Sequence, residues 1–259
     1  MTTCLNCNTE FEGKFCPECG QIATTDRITL RRLFSGEFLS GLFDLDRGFW
    51  RACLELTYRP GFLCLAYLEG KRKTYLNFIG LLLVLLAIEA VLWSFAINSP
   101  VQYMMQQLQA GLDANGSDIT LSEDAIKSVL LNQKLLFVLV IPIAALVPWL
   151  LCRKLKFNWV EHMVVVSMLL SLNTLLGILT LGWLGLLPIE FSLYSEIYKY
   201  VSFGVLAMDL VLYWQLLSKG DYGYIKRTLL TAVSGIWVIF VIGGSLQFAM
   251  GLLTARGMT

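Results

Sequence analysis

Five long apolar runs constrain this chain more than any other feature. They cover residues 78–98, 135–152, 163–187, 200–217 and 229–253, and a helix needs about 20 mainly apolar residues to cross roughly 30 Å of hydrocarbon. The runs are continuous rather than alternating, so they predict helices, which satisfy their own backbone hydrogen bonds in lipid, rather than barrel strands. Of the 259 residues, 56% are hydrophobic and only 15% charged, too apolar a balance for an ordinary soluble domain. The expected fold is an all-α polytopic membrane protein with five transmembrane helices. A net charge of +1 lacks the concentrated basic surface that phosphate binding requires, which argues against nucleic acid as a partner.

The positions of Lys and Arg predict the orientation, because basic loops stay in the cytoplasm during insertion. Ten precede the first run, three (Arg153, Lys154, Lys156) join the second to the third, and three (Lys219, Lys226, Arg227) join the fourth to the fifth. The opposite side holds only Lys127, Lys134, Lys199 and Arg256. This alternation fits five crossings, with the N-terminus in the cytoplasm and the C-terminus outside. Residues 1–21 carry cysteines and polar groups where a signal peptide would have an apolar core, so the first run is expected to act as its own insertion signal.

Ahead of the membrane runs stand two cysteine pairs, Cys4-x-x-Cys7 and Cys16-x-x-Cys19. Each x-x spacer lets two sulfurs reach one ion from a single tight turn, and Zn²⁺ prefers four such ligands in a tetrahedron. Gly20 follows the second pair and Asn8 the first, both residue types that tolerate positive φ. A piece this small cannot bury enough apolar surface to fold alone, so metal binding would supply its folding energy. The reading is a structural zinc ribbon over residues 1–24, its closed shell leaving no catalytic position. A redox dithiol lacks the expected βαβ surroundings, and an iron–sulfur site is the remaining alternative. Cys53, Cys64 and Cys152 read as buried apolar residues instead.

Residues 25–77 read as a cytoplasmic juxtamembrane segment and 78–259 as the transmembrane domain. Leu30, Leu33, Phe34, Phe38, Leu42, Leu45 and Phe49 share one helical face, and Phe49, Trp50, Cys53, Leu54 and Tyr58 continue the pattern, with Arg51 and Glu55 spaced as an i, i+4 pair. Amphipathic helices on the cytoplasmic membrane surface are expected, a soluble helical hairpin being the alternative. Arg59-Pro60-Gly61 predicts a turn. Residues 99–134 form an acidic external loop with a helix expected from Ser122.

Ionisable residues inside membrane runs are candidates for function. Glu89 and Asp209 both fall near mid-membrane, and with Asn173 or Gln247 they could form part of a proton or cation path; separate, protonated acids bonded to neighbouring helices are the plainer reading. Pro142 and Pro148 should kink the second run, and Gly177, Gly182, Gly185, Gly243, Gly244 and Gly251 permit close helix approach. Trp93, Trp149 and Trp183 suit interfacial anchoring. The single histidine, His162, reads as a boundary residue. No H-E-x-x-H, G-x-S-x-G or P-loop occurs.

The motifs C-x-x-C, F-x-G-K-F-C-P-x-C-G-Q, R-I-T-L-R-R-L-F, D-L-D-R-G-F, T-Y-R-P-G and Y-L-E-G-K-R-K-x-Y-x-N, followed by several membrane runs, resemble an uncharacterised bacterial membrane family classed as a domain of unknown function. The resemblance covers Cys4 to about Leu83. It implies an N-terminal zinc ribbon on a helical membrane domain in a bacterial inner membrane, and no activity. The five-run layout also resembles that of Yip1-type proteins, by topology alone. The resulting expectation is a scaffold or adaptor whose ribbon meets a protein partner at the cytoplasmic face, with an oligomer left open. A proton- or ion-coupled transporter or channel using Glu89 and Asp209 is the second reading, and a lipid-directed enzyme with a cavity of Arg59, Glu69, Lys71 and His162 the third.

Overall fold

The computed structural model describes residues 1–25, 27–30, 47–75, 77–97 and 139–255, together with a few positions between 102 and 113; side chains are described up to Ile242 and at Gly244. The amphipathic face expected from Leu33 to Leu45, the Ser122 helix and the Gln247 side chain lie outside the described residues.

The N-terminal knob is a two-stranded antiparallel ribbon, β1 (Thr2–Thr3) against β2 (Glu10–Phe11), with a bridge from Phe15 to Ile22. Its core consists of Cys4, Phe11 and Cys16. The rest is helical. A hairpin of α1 (Arg47–Tyr58) and α2 (Pro60–Leu68) leads through residues 69–77 into α3 (Phe78–Phe95). After it come α4 (Leu139–Leu151) and α5 (Trp159–Gly177), which continues through a π turn (Ile178–Gly182) to Gly185. The last two are α6 (Phe191–Leu216) and α7 (Tyr224–Ala255).

Four of these helices are long and apolar enough to cross a membrane: Phe78–Phe95, Trp159–Gly185, Phe191–Gly220 and Tyr224–Ile242. The described part of the second expected span, Leu139–Leu151, is shorter than a crossing requires. It is interrupted at Ala145, between Pro142 and Pro148. Pro148 has no N–H for the carbonyl one turn earlier, so the ladder breaks there. The Pro142 carbonyl also accepts from the Trp159 indole N–H at 3.0 Å. Apolar side chains on the outer faces stay exposed, among them Val91 and Phe95 on α3, Phe203 on α6 and Phe240 on α7, a distribution suited to lipid.

Three helices begin earlier than the apolar runs do, α7 among them, at Tyr224 rather than Leu229. The run starting at Tyr200 belongs to a helix that starts at Phe191; Glu196 and Lys199, which end the apolar pattern, pair at 2.6 Å one turn apart and stay helical. The third begins at Trp159, where Asn158 accepts from Glu161 N–H and the Glu161 carboxylate accepts from Asn158 N–H, a reciprocal capping box. The signal N-x-x-E stands in the sequence.

The hairpin differs most from expectation. Helix α2 is almost wholly buried, wedged between α5 and α6 rather than resting on a surface. Gly61 is not a turn residue but a helical one: a Cβ there would lie 2.3 Å from the Leu212 carbonyl oxygen and 2.6 Å from Leu216 N. Only glycine permits that approach, which the Gly61 N–H seals by donating to Gln215 Oε1 at 3.0 Å. Helix α1 keeps its amphipathic character, burying Phe49, Ala52, Cys53 and Leu56 while Trp50, Leu54 and Tyr58 remain exposed.

Candidate metal centre and the polar layer of the bundle

The two cysteine turns of the knob repeat one another. Asn8 N–H donates to the Cys4 carbonyl and Gly20 N–H to the Cys16 carbonyl, both at 2.9 Å. Cys4 N–H then meets the Thr9 carbonyl and Cys16 N–H the Gln21 carbonyl. Asn8 and Gly20 adopt φ of 63° and 72°, the left-handed backbone their residue types tolerate. These turns bring all four sulfurs within 4.8 Å of one another, with Cys4 to Cys19 and Cys7 to Cys16 at 3.5 Å. Sulfurs about 2.3 Å from one tetrahedral ion would stand about 3.8 Å apart. The cluster fits a metal ion, and none of the seven cysteines forms a disulfide.

The thiols differ in acidity. Hydrogen bonding with the Thr9 hydroxyl, 3.3 Å away, and with the Thr9 backbone holds Cys7 down at about 6, while burial pushes Cys19 up to about 12. A thiol must lose its proton to ligate, so metal binding releases protons here.

Both turns also grip the segment that leads into α3. From the first, Asn6 Oδ1 accepts from Thr74 N–H at 3.1 Å and from its hydroxyl at 2.7 Å. From just beyond the second, Gln21 Oε1 accepts from Arg72 and Lys73 N–H, each at 3.2 Å, and Gln21 Nε2 donates to the Gly70 carbonyl at 2.8 Å. The gripped turn closes α2 as a Schellman motif: Gly70 N–H bonds the Tyr67 carbonyl and Lys71 N–H that of Ala66. Gly70 has φ 112°, and a Cβ there would come within 2.7 Å of Leu5 Cδ1. The turn runs directly to Asn77, whose side chain caps α3 by accepting from Ile79 N–H.

On its other side the same segment is tied to α1. The Tyr75 hydroxyl donates to Glu55 Oε2 at 2.7 Å, while Arg51 and Arg59 reach Glu55 Oε1 at 2.9 and 2.8 Å. The Arg51 pair is the expected i, i+4 contact; Arg59 makes a second pair at the same spacing on the other side of Glu55, and Tyr75 left no such pattern. Burial opposes ionisation of Glu55, only 4% exposed, but the bonds from Arg59, Tyr75 and Arg51 outweigh it and hold the carboxyl below its ordinary value. Tyr75 is pushed up to about 12, by burial and then by the Glu55 bond.

Further links gather the basic loops at the ribbon end. Arg27 binds Glu161 in a fork, at 3.1 and 2.5 Å, and donates to the Lys156 carbonyl. Lys219 pairs with Glu69 at 2.6 Å, and the Tyr222 hydroxyl accepts from Lys154 N–H. These contacts commit Arg59 and Glu69 to separate partners. His162 is buried rather than at a boundary, stands edge-on to Phe157, and neither ring nitrogen has a hydrogen-bond partner among the described residues. The four residues of the expected lipid-enzyme cavity are thus not brought together by the described contacts. Cys53, Cys64 and Cys152 are buried as expected.

Deeper in the bundle, Asp209 on α6 accepts from Asn173 Nδ2 on α5 at 3.3 Å. One turn further along α5, Gly177 faces Glu89 of α3: a Cβ at Gly177 would sit 3.7 Å from Glu89 Oε1. Three helices thus contribute to a polar seam along one face of α5, and the π turn begins immediately after it. Both carboxylates are buried.

Residues 46–89, a minor part of the chain, match a family described as a protein of unknown function, DUF3667. The matched stretch holds the α1–α2 hairpin, the Glu55 network, the turn gripped by the knob and α3 as far as Glu89. No curated protein and no solved structure matches the chain.

Proposed function

We propose that this chain is an integral scaffold or adaptor of a bacterial inner membrane, in which Cys4, Cys7, Cys16 and Cys19 hold a structural Zn²⁺ and the ribbon of residues 1–24 meets a protein partner in the cytoplasm. The observation that carries this reading is the double grip of Asn6 and Gln21 on the turn leading into α3. A tetrathiolate site has no vacant position for substrate, so its use is mechanical: it fixes the ribbon rigidly on residues 25–77 and 78–259, the juxtamembrane and transmembrane parts. Phe15, 62% exposed on the ribbon, is apolar surface available to a partner.

Five crossings are supported by the direction of the helices. Both α3 and α5 start at the ribbon end, and their far ends meet where Ile97 N–H donates to the Gly185 carbonyl at 2.8 Å. The chain must return between them, and α4 is the apolar segment in that interval. The clustering of Lys71 to Lys73, Lys154 and Lys219 at the ribbon end supports a cytoplasmic N-terminus by the positive-inside rule. The test is affinity capture from gently solubilised membranes. A partner recovered with the native chain and lost with Cys16→Ser or Cys19→Ser is expected, and undiminished recovery would contradict the role.

The Asp209–Asn173 bond favours a second reading, a proton- or ion-coupled transporter using Glu89 and Asp209. In proteoliposomes, Glu89→Gln or Asp209→Asn should abolish pH-dependent flux. Equal flux in both variants would remove these residues from any transport path.

A further inference from the structure

Asp209 is 2% exposed, and its Oδ2 accepts one long bond from Asn173. Its Oδ1, the Asn173 Oδ1 and the Tyr213 hydroxyl are all buried with no hydrogen-bond partner among the described residues. Tyr213 is 0% exposed and lies one helical turn after Asp209. Side chains on a helix lean toward its N-terminus, so Tyr213 leans toward the turn that carries Asp209. Buried polar atoms are rarely left without partners, and those that are point to an unseen water or ion.

The nearby basic residues do not supply the missing charge. Lys199 pairs with Glu196, Lys219 with Glu69, and Arg227 donates to the Trp214 carbonyl. The unpartnered buried oxygens of this layer on α5 and α6 are one carboxylate oxygen, one amide carbonyl and one phenol. Hard cations take such ligands, and a single carboxylate matches one positive charge better than two, since divalent cations draw on more carboxylates.

We propose that Asp209, Asn173 and Tyr213 form a binding site for a small alkali cation, sodium in the first instance, between α5 and α6. The site rests on the polar-layer reading above, but occupancy is measured separately from flux, so a silent transport assay and an empty site remain distinguishable. The cation neutralises Asp209 and ties the two helices together, whether or not it moves across the membrane.

The experiment is equilibrium binding of radiolabelled sodium to the purified full-length protein in nanodiscs, with N-methylglucamine replacing sodium as the control. About one sodium per chain is expected, displaced by unlabelled sodium or lithium, and Asp209→Asn should weaken binding at least about tenfold. Where that variant does not fold, Asn173→Ala is read instead and should weaken binding while leaving zinc content unchanged. Tyr213→Phe, which removes only the hydroxyl, should weaken it less. Absence of displaceable sodium on the native protein overturns the proposal even if proton flux is found, and so does full binding by a folded Asp209→Asn protein.

Discussion

Gln21 and Gly70, 49 positions apart in sequence, are joined by a 2.8 Å bond from the Gln21 amide to the Gly70 carbonyl, inside the buried contact between the four-cysteine knob and the end of α2. Gln21 Oε1 accepts from the Arg72 and Lys73 N–H groups as well, so one side chain bonds three backbone groups of the turn. Gln21→Ala therefore removes three bonds from the turn, leaving the Arg72 N–H and the Gly70 carbonyl only the 2.9 Å bond they make to each other. Loss of about 1–3 kcal/mol of local stability is expected, seen as faster amide exchange at Arg72 and Lys73 with zinc content unchanged; unaltered exchange would show that the grip carries no weight.

Gly70→Ala meets two obstacles, the positive φ and the Leu5 side chain. The expected cost is about 1–3 kcal/mol. Leu5→Ala in the same chain removes the 2.7 Å collision with Cδ1 but leaves the position-5 Cβ at 3.0 Å and the backbone strain, so thermal unfolding should show partial rescue. Complete rescue would assign the whole effect to Leu5.

Gly61→Ala drives a methyl into the backbone of α6 rather than into a flexible side chain. The hairpin should separate from α6, with a loss greater than that of Gly70→Ala, and protease should then cut between α1 and α2. A stable, protease-resistant Gly61→Ala protein would contradict the packing.

Glu55 gives the expected acid sensitivity. Its carboxyl is held below its ordinary value when folded, so its stabilisation is present above the unfolded value, taken as 4.5, and is lost as pH falls through the lower, folded value. Glu55→Gln cannot ionise. Its unfolding midpoint should be lower than that of the native chain at neutral pH, by about 1–3 kcal/mol given that both arginines are half-exposed, and the gap should close on acidification. A gap constant with pH would exclude this carboxylate as the source.

Local chemistry made much of this structure legible. The C-x-x-C turns with Asn8 and Gly20, the Arg51–Glu55 pair and the break between Pro142 and Pro148 each depend on residues a few positions apart. The ribbon's docking did not show, because Asn6, Gln21 and Thr74 are neutral polar residues that form no periodic pattern and meet only in the folded chain. Arg27 and Glu161, 134 positions apart, were invisible for the same reason. Helix α2 gave no periodic signal because its nine residues are largely apolar on every side; the clearance at Gly61 shows its buried position. The Asn158–Glu161 capping box was readable and would have placed the start of α5 correctly.

The central claim is that a metal-closed cysteine knob holds the turn that leads into the first membrane helix. Metal analysis of the purified full-length chain, coupled to amide exchange at Arg72, Lys73 and Thr74 before and after chelation, tests it most directly. About one zinc per chain is predicted, with those three amides protected in the loaded protein and exposed once the metal is stripped. A chain purified without metal whose Arg72–Thr74 amides are nevertheless protected, or a loaded chain whose protection survives chelation, would contradict it.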